Sequence, residues 1–250
     1  MRVYWTLVRR ELGAYFASLT GYVVIAAAAF LFGLSFVDMV RAAQAEPLQV
    51  HVTEVFFQTP YFWMIMILTA PVITMRLFAL EKFSGTFETL MTTPVRETEV
   101  VLAKFSAALV FYLLLWLPLL GCMLVVRYYS GAAGGLDWGV IGTTYLGLLL
   151  LGCLFVAMGC FASALTRTQT VAAMITLLMG VGLFLVSFLA RQLPSQATWQ
   201  TMVLSHFSLL EHMQDFARGV VDTRPTVFYL SLSSLFVFLT LRVVESRRWK

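Results

Sequence analysis

The chain has 250 residues, of which 60% are apolar and 12% charged, with a net charge of +4 and a mean hydropathy of +0.85. Soluble domains carry about 25% charged residues, and a globule of this size has too little core to hide so much apolar surface from water. The same figures exclude a disordered chain; three Cys, all in apolar runs, exclude a disulfide-stapled secreted fold. The small, scattered positive charge is not that of a nucleic-acid binder.

The chain opens with Val3, Leu7, Val8, Leu12, Tyr15 and Phe16 near helical spacing beside Arg9, Arg10 and Glu11. This predicts an amphipathic helix in the membrane interface over 3–17, the alternative being the frayed start of the span that follows. A bilayer core about 30 Å thick takes roughly 20 apolar residues per helix. Six stretches qualify: 19–37, 61–80, 100–126, 138–165, 170–190 and 227–244. The first continues past the alanines at 26–29 to Val37 without a polar break, unlike a cleaved signal peptide. Arg76 and Lys104, near span ends, are expected to snorkel to the interface, and Pro71 and Pro118 to kink the second and third spans. The predicted fold class is therefore an all-α integral membrane protein of six transmembrane helices, with one transmembrane domain over 1–250.

Orientation follows from the basic residues. With the N-terminus in the cytoplasm, twelve of the 17 Lys and Arg fall on inside segments and five outside, which places both termini in the cytoplasm of a bacterial-type inner (plasma) membrane.

Two further segments stand out. In EKFSGTFETLMTTPVRETE (81–99), Ser84 and Gly85 break the second span and Thr86 can cap a short helix with Glu88 in its first turn. Phe87, Leu90 and Met91 share one face, and Pro94 ends the helix. Such a face suits either a cytosolic partner or the lipid surface. Between the fifth and sixth spans, Ser208 and Glu211 form a capping-box pattern before a stripe of Leu209, Leu210, Met213, Phe216, Ala217 and Val220. Gly219 is placed to stop this outer amphipathic helix, which is expected to dip into the interface, and Pro225 to start the last span.

Chemistry is sparse. The chain has no phosphate-binding loop, no H-E-x-x-H and no nucleophile elbow. His51, His206 and His212 lie in predicted outer segments, where solvated or interfacial histidine is the ordinary reading. The span interiors hold almost no acid, so no proton or sodium relay is legible. Thr143, Thr144, Ser163, Thr176 and Ser187 suit either a pathway or helix–helix contacts. Gly142, Gly147, Gly152, Ala157, Gly159, Gly180 and Gly182 allow close helix approach, within the chain or across a dimer. If the protein moves something, another subunit must supply the energy.

Three blocks carry a family resemblance. They are RREL-x-x-YF-x-S-x-x-GYV from Arg9, E-K-x-S-G-T-x-E-x-L-x-T-x-P from Glu81 with its continuation to Lys104, and FARGVVD from Phe216 with TLRVVESRRW from Thr240. The chain resembles the membrane subunit of ABC-2 class ABC transporters and, within it, the gliding-motility (Gld-type) permeases. The resemblance implies a permease without catalytic residues, metal or cofactor of its own, working with a second permease subunit in the lipid bilayer. It implies separate cytosolic ATPase subunits that bind ATP and Mg. It further implies that the segment holding Glu81, Gly85, Thr86, Phe87, Glu88, Leu90, Met91 and Pro94 couples to those ATPases, in an exporter working by alternating access. The rival reading is a non-transporting membrane scaffold regulated by an ATPase.

Overall fold

The computed structural model describes residues 2–45, 52–87, 95–130, 138–192 and 206–246. They form eleven helices: α1 (Arg2–Phe16), α2 (Leu19–Ala45), α3 (Val52–Gln58), α4 (Pro60–Thr74), α5 (Ala79–Ser84), α6 (Glu97–Leu115), α7 (Leu117–Ser130), α8 (Trp138–Leu165), α9 (Gln169–Gln192), α10 (Leu209–Ala217) and α11 (Thr223–Ser246). Six stretches are long and apolar enough to cross a membrane, and they match the six expected spans: Leu19–Arg41, Pro60–Ser84, Glu97–Tyr128, Trp138–Leu165, Gln169–Ala190 and Thr223–Ser246. The protein is an all-α, multi-pass membrane protein. The face that carries α1 is called the N-terminal face below, and the opposite one the far face.

The spans differ in what surrounds them. In the apolar window of α8, 78% of residues are buried, against 22% in the first, fifth and sixth spans. Helix α8 is thus the central helix, contacted by α4, α6, α9, α10 and α11. The outer spans turn Phe30, Leu178 and Val227 outward, an apolar surface suited to lipid or another membrane protein and not to water. Close approach to α8 depends on its small residues: a Cβ at Gly159 would lie 2.1 Å from Thr74 Oγ1 of α4.

Both prolines mark breaks. Pro71 stays inside α4, which ends three residues later at Thr74. Ahead of Pro118 the third span breaks at Trp116, whose carbonyl accepts from Leu119 N at 3.2 Å and from the Tyr145 hydroxyl of α8 at 2.9 Å, so the break leaves that carbonyl satisfied.

The outer helix departs from expectation in two ways. Its stripe (Leu209, Leu210, Met213, Phe216 and Ala217) is buried against α3, α8 and α9, so protein covers most of what the sequence assigned to lipid; only Val220 remains exposed. The capping box does not form. Ser208 stands at the N-cap, but its side chain makes no capping bond and its buried Oγ has no partner among the described residues. Ser187 of α9 caps the helix instead, accepting from the amides of Leu209 and Leu210 and donating to Phe207 O at 3.1 Å. We expect Ser187→Ala to cost about 1 kcal/mol, the usual worth of a cap, and Ser208→Ala almost nothing. Hydrogen exchange at the Leu209 and Leu210 amides distinguishes the two, rising in the first variant alone.

The other end of α10 behaves as expected. Gly219 has φ +87°, and Val220 N donates to Asp215 O at 2.9 Å while Gly219 N donates to Phe216 O at 3.2 Å, a Schellman closure. Arg218 then reaches Glu54 of α3 at 2.5 Å, and Asp222 Oδ1 accepts from Arg224 N at 3.1 Å at the start of α11. The FARGVVD block is therefore a stop, a clamp and a restart. The five hydroxyls left open above are all engaged. Thr143 donates to Phe216 O at 2.8 Å and Ser163 and Ser187 bridge helices, while Thr144 and Thr176 donate to carbonyls four residues back in their own helix. Thr143, Ser163 and Ser187 thus join separate elements, whereas the bonds of Thr144 and Thr176 stay within their own helix.

Candidate coupling site at the N-terminal face

Helix α1 is a separate helix, not a frayed start of α2: residues 17 and 18 turn the chain, and Ser18 Oγ donates to Tyr15 O at 3.1 Å. Its apolar stripe lies mainly on α6, where Val8 packs with Ala103 and Ala107 and the Tyr4 hydroxyl meets Ser106 Oγ at 2.8 Å. Tyr15 stacks on Phe111 at 4.6 Å and donates to Ile73 O of α4 at 2.9 Å. Val3, Trp5 and Phe16 remain exposed for the membrane interface.

Glu11 follows Leu7 by four residues and so falls on the same covered face. Opposite it stands Lys104, only 2% exposed, with Nζ 3.1 Å from Glu11 Oε1 and 2.8 Å from Glu81 Oε1. Arg10 closes the cluster from the exposed side, 2.6 Å from Glu11 and 3.3 Å from Glu81. Its hydrogen bond to Glu11 holds the guanidinium pKa above the ordinary arginine value against the opposing effect of burial. Two cations and two carboxylates sum to zero, which is how the charges persist under an apolar roof that includes the Phe78 ring, 5.5 Å from Lys104. Lys104 does not snorkel; it is held inside by its two acids. Nor does Arg76 simply reach for water: Nη1 donates to Thr20 Oγ1 at 2.5 Å, and its Nε is buried.

The chain leaves the second span through α5, whose start is capped from another helix. Ser163 Oγ of α8 accepts from Phe78 N at 3.0 Å and from Ala79 N at 3.1 Å. Lys82 donates to the Ala164 carbonyl near the C-terminal end of α8, where a helix dipole favours a cation. Consecutive residues of α5 thus grip two sides: Glu81 holds α1 and α6, and Lys82 holds α8.

Among the residues singled out from sequence, Gly85 ends α5 in the left-handed conformation, φ +73°, which favours glycine. The Thr86 hydroxyl meets Ser84 Oγ at 2.8 Å and donates back to Glu81 O at 3.4 Å, closing the preceding helix. Phe87 is 7% exposed, with the Lys82 ammonium 5.4 Å from its ring, so the ring is covered within the chain. Glu88, Leu90, Met91 and Pro94 lie outside the described residues. Sequence reasoning missed the Glu11–Lys104–Glu81 cluster. Its signals were an acid on an apolar helix face and a lone lysine in a span, and they point to each other only once α1 folds back on α6.

No group of three His, Cys, Asp or Glu among the described residues is placed to hold a metal ion. In this arrangement one short helix is tied by side chains to three others. The sequence profile of the ABC-2 family transporter proteins matches residues 10–248, and the chain belongs to that family. Membrane proteins of this family work with ABC ATPases. Among curated proteins no match to the chain is found.

Proposed function

We propose that this chain is the permease subunit of an ATP-driven exporter of the gliding-motility type. In this reading the whole chain is one transmembrane domain, paired with a second permease subunit of the same or a different chain. The N-terminal face looks into the cytosol from the inner membrane, a placement supported by the twelve basic residues on that side. Separate cytosolic ATPase subunits carry ATP and Mg and dock on the segment 81–99.

The observation that carries the reading is the attachment of α5. A displacement of the segment beyond Gly85 enters α5 and reaches α1 and α6 through Glu81, and α8 through Lys82 and Ser163. Force applied at one short segment is delivered to the central helix, to its neighbour α6 and to α1 together. Packed helices shift between discrete arrangements and do not deform continuously. Docking that differs between nucleotide states would therefore rock the helices as a unit and open a path against the second subunit.

The test uses Leu90→Asp/Met91→Asp in the full chain, with Phe87 left intact because its ring is part of the core. The wild type is expected to co-purify with its ATPase and to stimulate ATP hydrolysis. The variant is expected to lose the ATPase with its own melting temperature unchanged. Retention of the ATPase by the variant would remove the docking assignment.

A further inference from the structure

Phe83 is the most exposed phenylalanine among the described residues, at 75%, and Leu80 is 40% exposed. Three residues apart, they share one face of α5, turned away from buried Ala79 and from the gripping side chains of Glu81 and Lys82. The next most exposed phenylalanines, Phe30, Phe238 and Phe188, lie within membrane spans. Phe83 instead follows the apolar stretch 61–80. Phe78 and Ala79 donate to Ser163, and Lys82 to the Ala164 carbonyl, so α5 lies level with the last turn of α8, where the spans end. Next to Phe83, Ser84, Gly85 and Thr86 are exposed, and a Cβ at Gly85 would meet nothing within 4 Å. The described chain leaves this face of α5 open.

Lipid is a poor cover for it. A helix held on a membrane surface needs a long apolar stripe, and α5 offers two apolar residues in a helix of six, followed by small polar ones. One aromatic ring raised among small polar residues has the form of an interface anchor, which fills a pocket in a partner while a polar rim excludes water. Its place relative to Gly85 selects the partner. Gly85 ends α5 in the left-handed conformation and has no side chain to stiffen the joint with the segment beyond. A partner holding that segment alone would pull across the joint. One that holds Phe83 grips α5 itself, beside the two residues that tie it to α1, α6 and α8. Membrane proteins of this family work with ABC ATPases, and a partner that must move helices needs its hold on the near side of the joint.

We propose that Phe83, with Leu80 beside it, is the anchor that the ATPase subunit takes into an apolar pocket, and that the residues beyond Gly85 complete the contact. The inference rests on the docking reading above and moves its main hold from the face of Phe87, Leu90 and Met91 to that of Leu80 and Phe83. The surroundings also set the charge of the pocket's rim. Arg10, 53% exposed, reaches Glu81 on one side of α5, and exposed Arg167 follows the Ala164 carbonyl that Lys82 holds on the other. Two cations flanking the anchor call for an acidic rim around the pocket.

The test measures the affinity of the full chain, in nanodiscs, for the ATPase that co-purifies with the wild type. Phe83→Ser is expected to lose about thirtyfold, as truncation of an aromatic hot spot does. Its melting temperature should stay that of the wild type, because the ring lies outside the core. Phe83→Trp, which keeps an aromatic ring for the pocket, should retain most of the affinity, and Phe30→Ser, on the lipid-facing side of α2, all of it. Arg167→Glu is expected to weaken the complex, most at low salt; unchanged binding there would remove the acidic rim. With fluorophenylalanine placed at position 83 alone, the fluorine resonance should shift when the ATPase is added and stay sharp when only spin-labelled lipid is present. The anchor is overturned if Phe83→Ser binds the ATPase as the wild type does while Leu90→Asp/Met91→Asp does not, which leaves docking in place without it. It is overturned equally if spin-labelled lipid broadens the resonance and the ATPase leaves it unmoved. A wild type that brings down no ATPase removes the docking reading itself, and this anchor with it.

Discussion

Lys104→Met is expected to destabilise the protein by about 3–5 kcal/mol, the cost of removing one member of a buried ion cluster. The lysine is 2% exposed, and the two carboxylates it neutralises are themselves largely covered, at 14% and 18%. Without it Glu11 and Glu81 face each other with only Arg10, half-exposed, to offset them. The penalty comes from the stranded acids and not from lost packing, since Met fills a similar volume. The triple variant Glu11→Gln/Lys104→Met/Glu81→Gln is therefore expected to return to within about 1 kcal/mol of the wild type, because an uncharged cluster needs no counter-ion. Thermal melting in detergent measures the stability difference. ATPase stimulation in the triple variant asks a separate question. A cluster that transmits displacement predicts reduced stimulation despite restored stability; a merely structural one predicts full recovery. Should Lys104→Met melt with the wild type, the geometry of the junction would be wrong.

The second large effect is expected at Gly159. A Cβ there would lie 2.1 Å from Thr74 Oγ1 and 2.5 Å from Thr74 Cβ, far inside contact distance. Thr74 cannot swing away: it is fully buried, and its hydroxyl donates to Ala70 O at 2.8 Å. Gly159→Ala must then push α4 off α8, at the roughly 1–3 kcal/mol typical of overpacking, and Gly159→Leu should prevent folding. Thr74→Ala removes the nearest atom but leaves its Cβ, so it should rescue Gly159→Ala in part, and Thr74→Gly more fully. Gly182→Ala is the control, since a Cβ at 182 would meet nothing within 4 Å. Melting temperatures of Gly159→Ala, its two double variants and Gly182→Ala decide the matter, and equal loss at 159 and 182 would contradict this helix packing.

Much of the architecture is legible without coordinates because a bilayer imposes a simple local demand. Each crossing must be about 20 residues long and apolar, with its backbone bonds closed within the helix. The six spans, the separate N-terminal helix, the break before Pro118 and the stop at Gly219 all follow from residues near one another in sequence. The junction was legible only in part. Glu81 and Gly85 fall where the second span breaks, but Phe87, read as part of a partner-facing surface, turns into the core beneath Lys82. Hydropathy cannot make that distinction, because in a membrane protein the side facing lipid and the side facing protein are equally apolar. For the same reason nothing in the sequence marks α8 as the central helix.

Pairing between distant residues was out of reach for another reason. Ser208 has the residue type and spacing of a cap, yet Ser187, 22 residues before Leu209, supplies the hydroxyl. Lys104 has the stem of a snorkelling lysine, yet partners 93 and 23 residues away hold it inside. The sequence by itself determined that this chain spans a membrane six times, where along the chain those spans lie, and which family it resembles. Only the tertiary structure decided which polar groups meet, because desolvation and ion pairing depend on what the folded chain brings within about 4 Å, and helical periodicity describes one helix at a time.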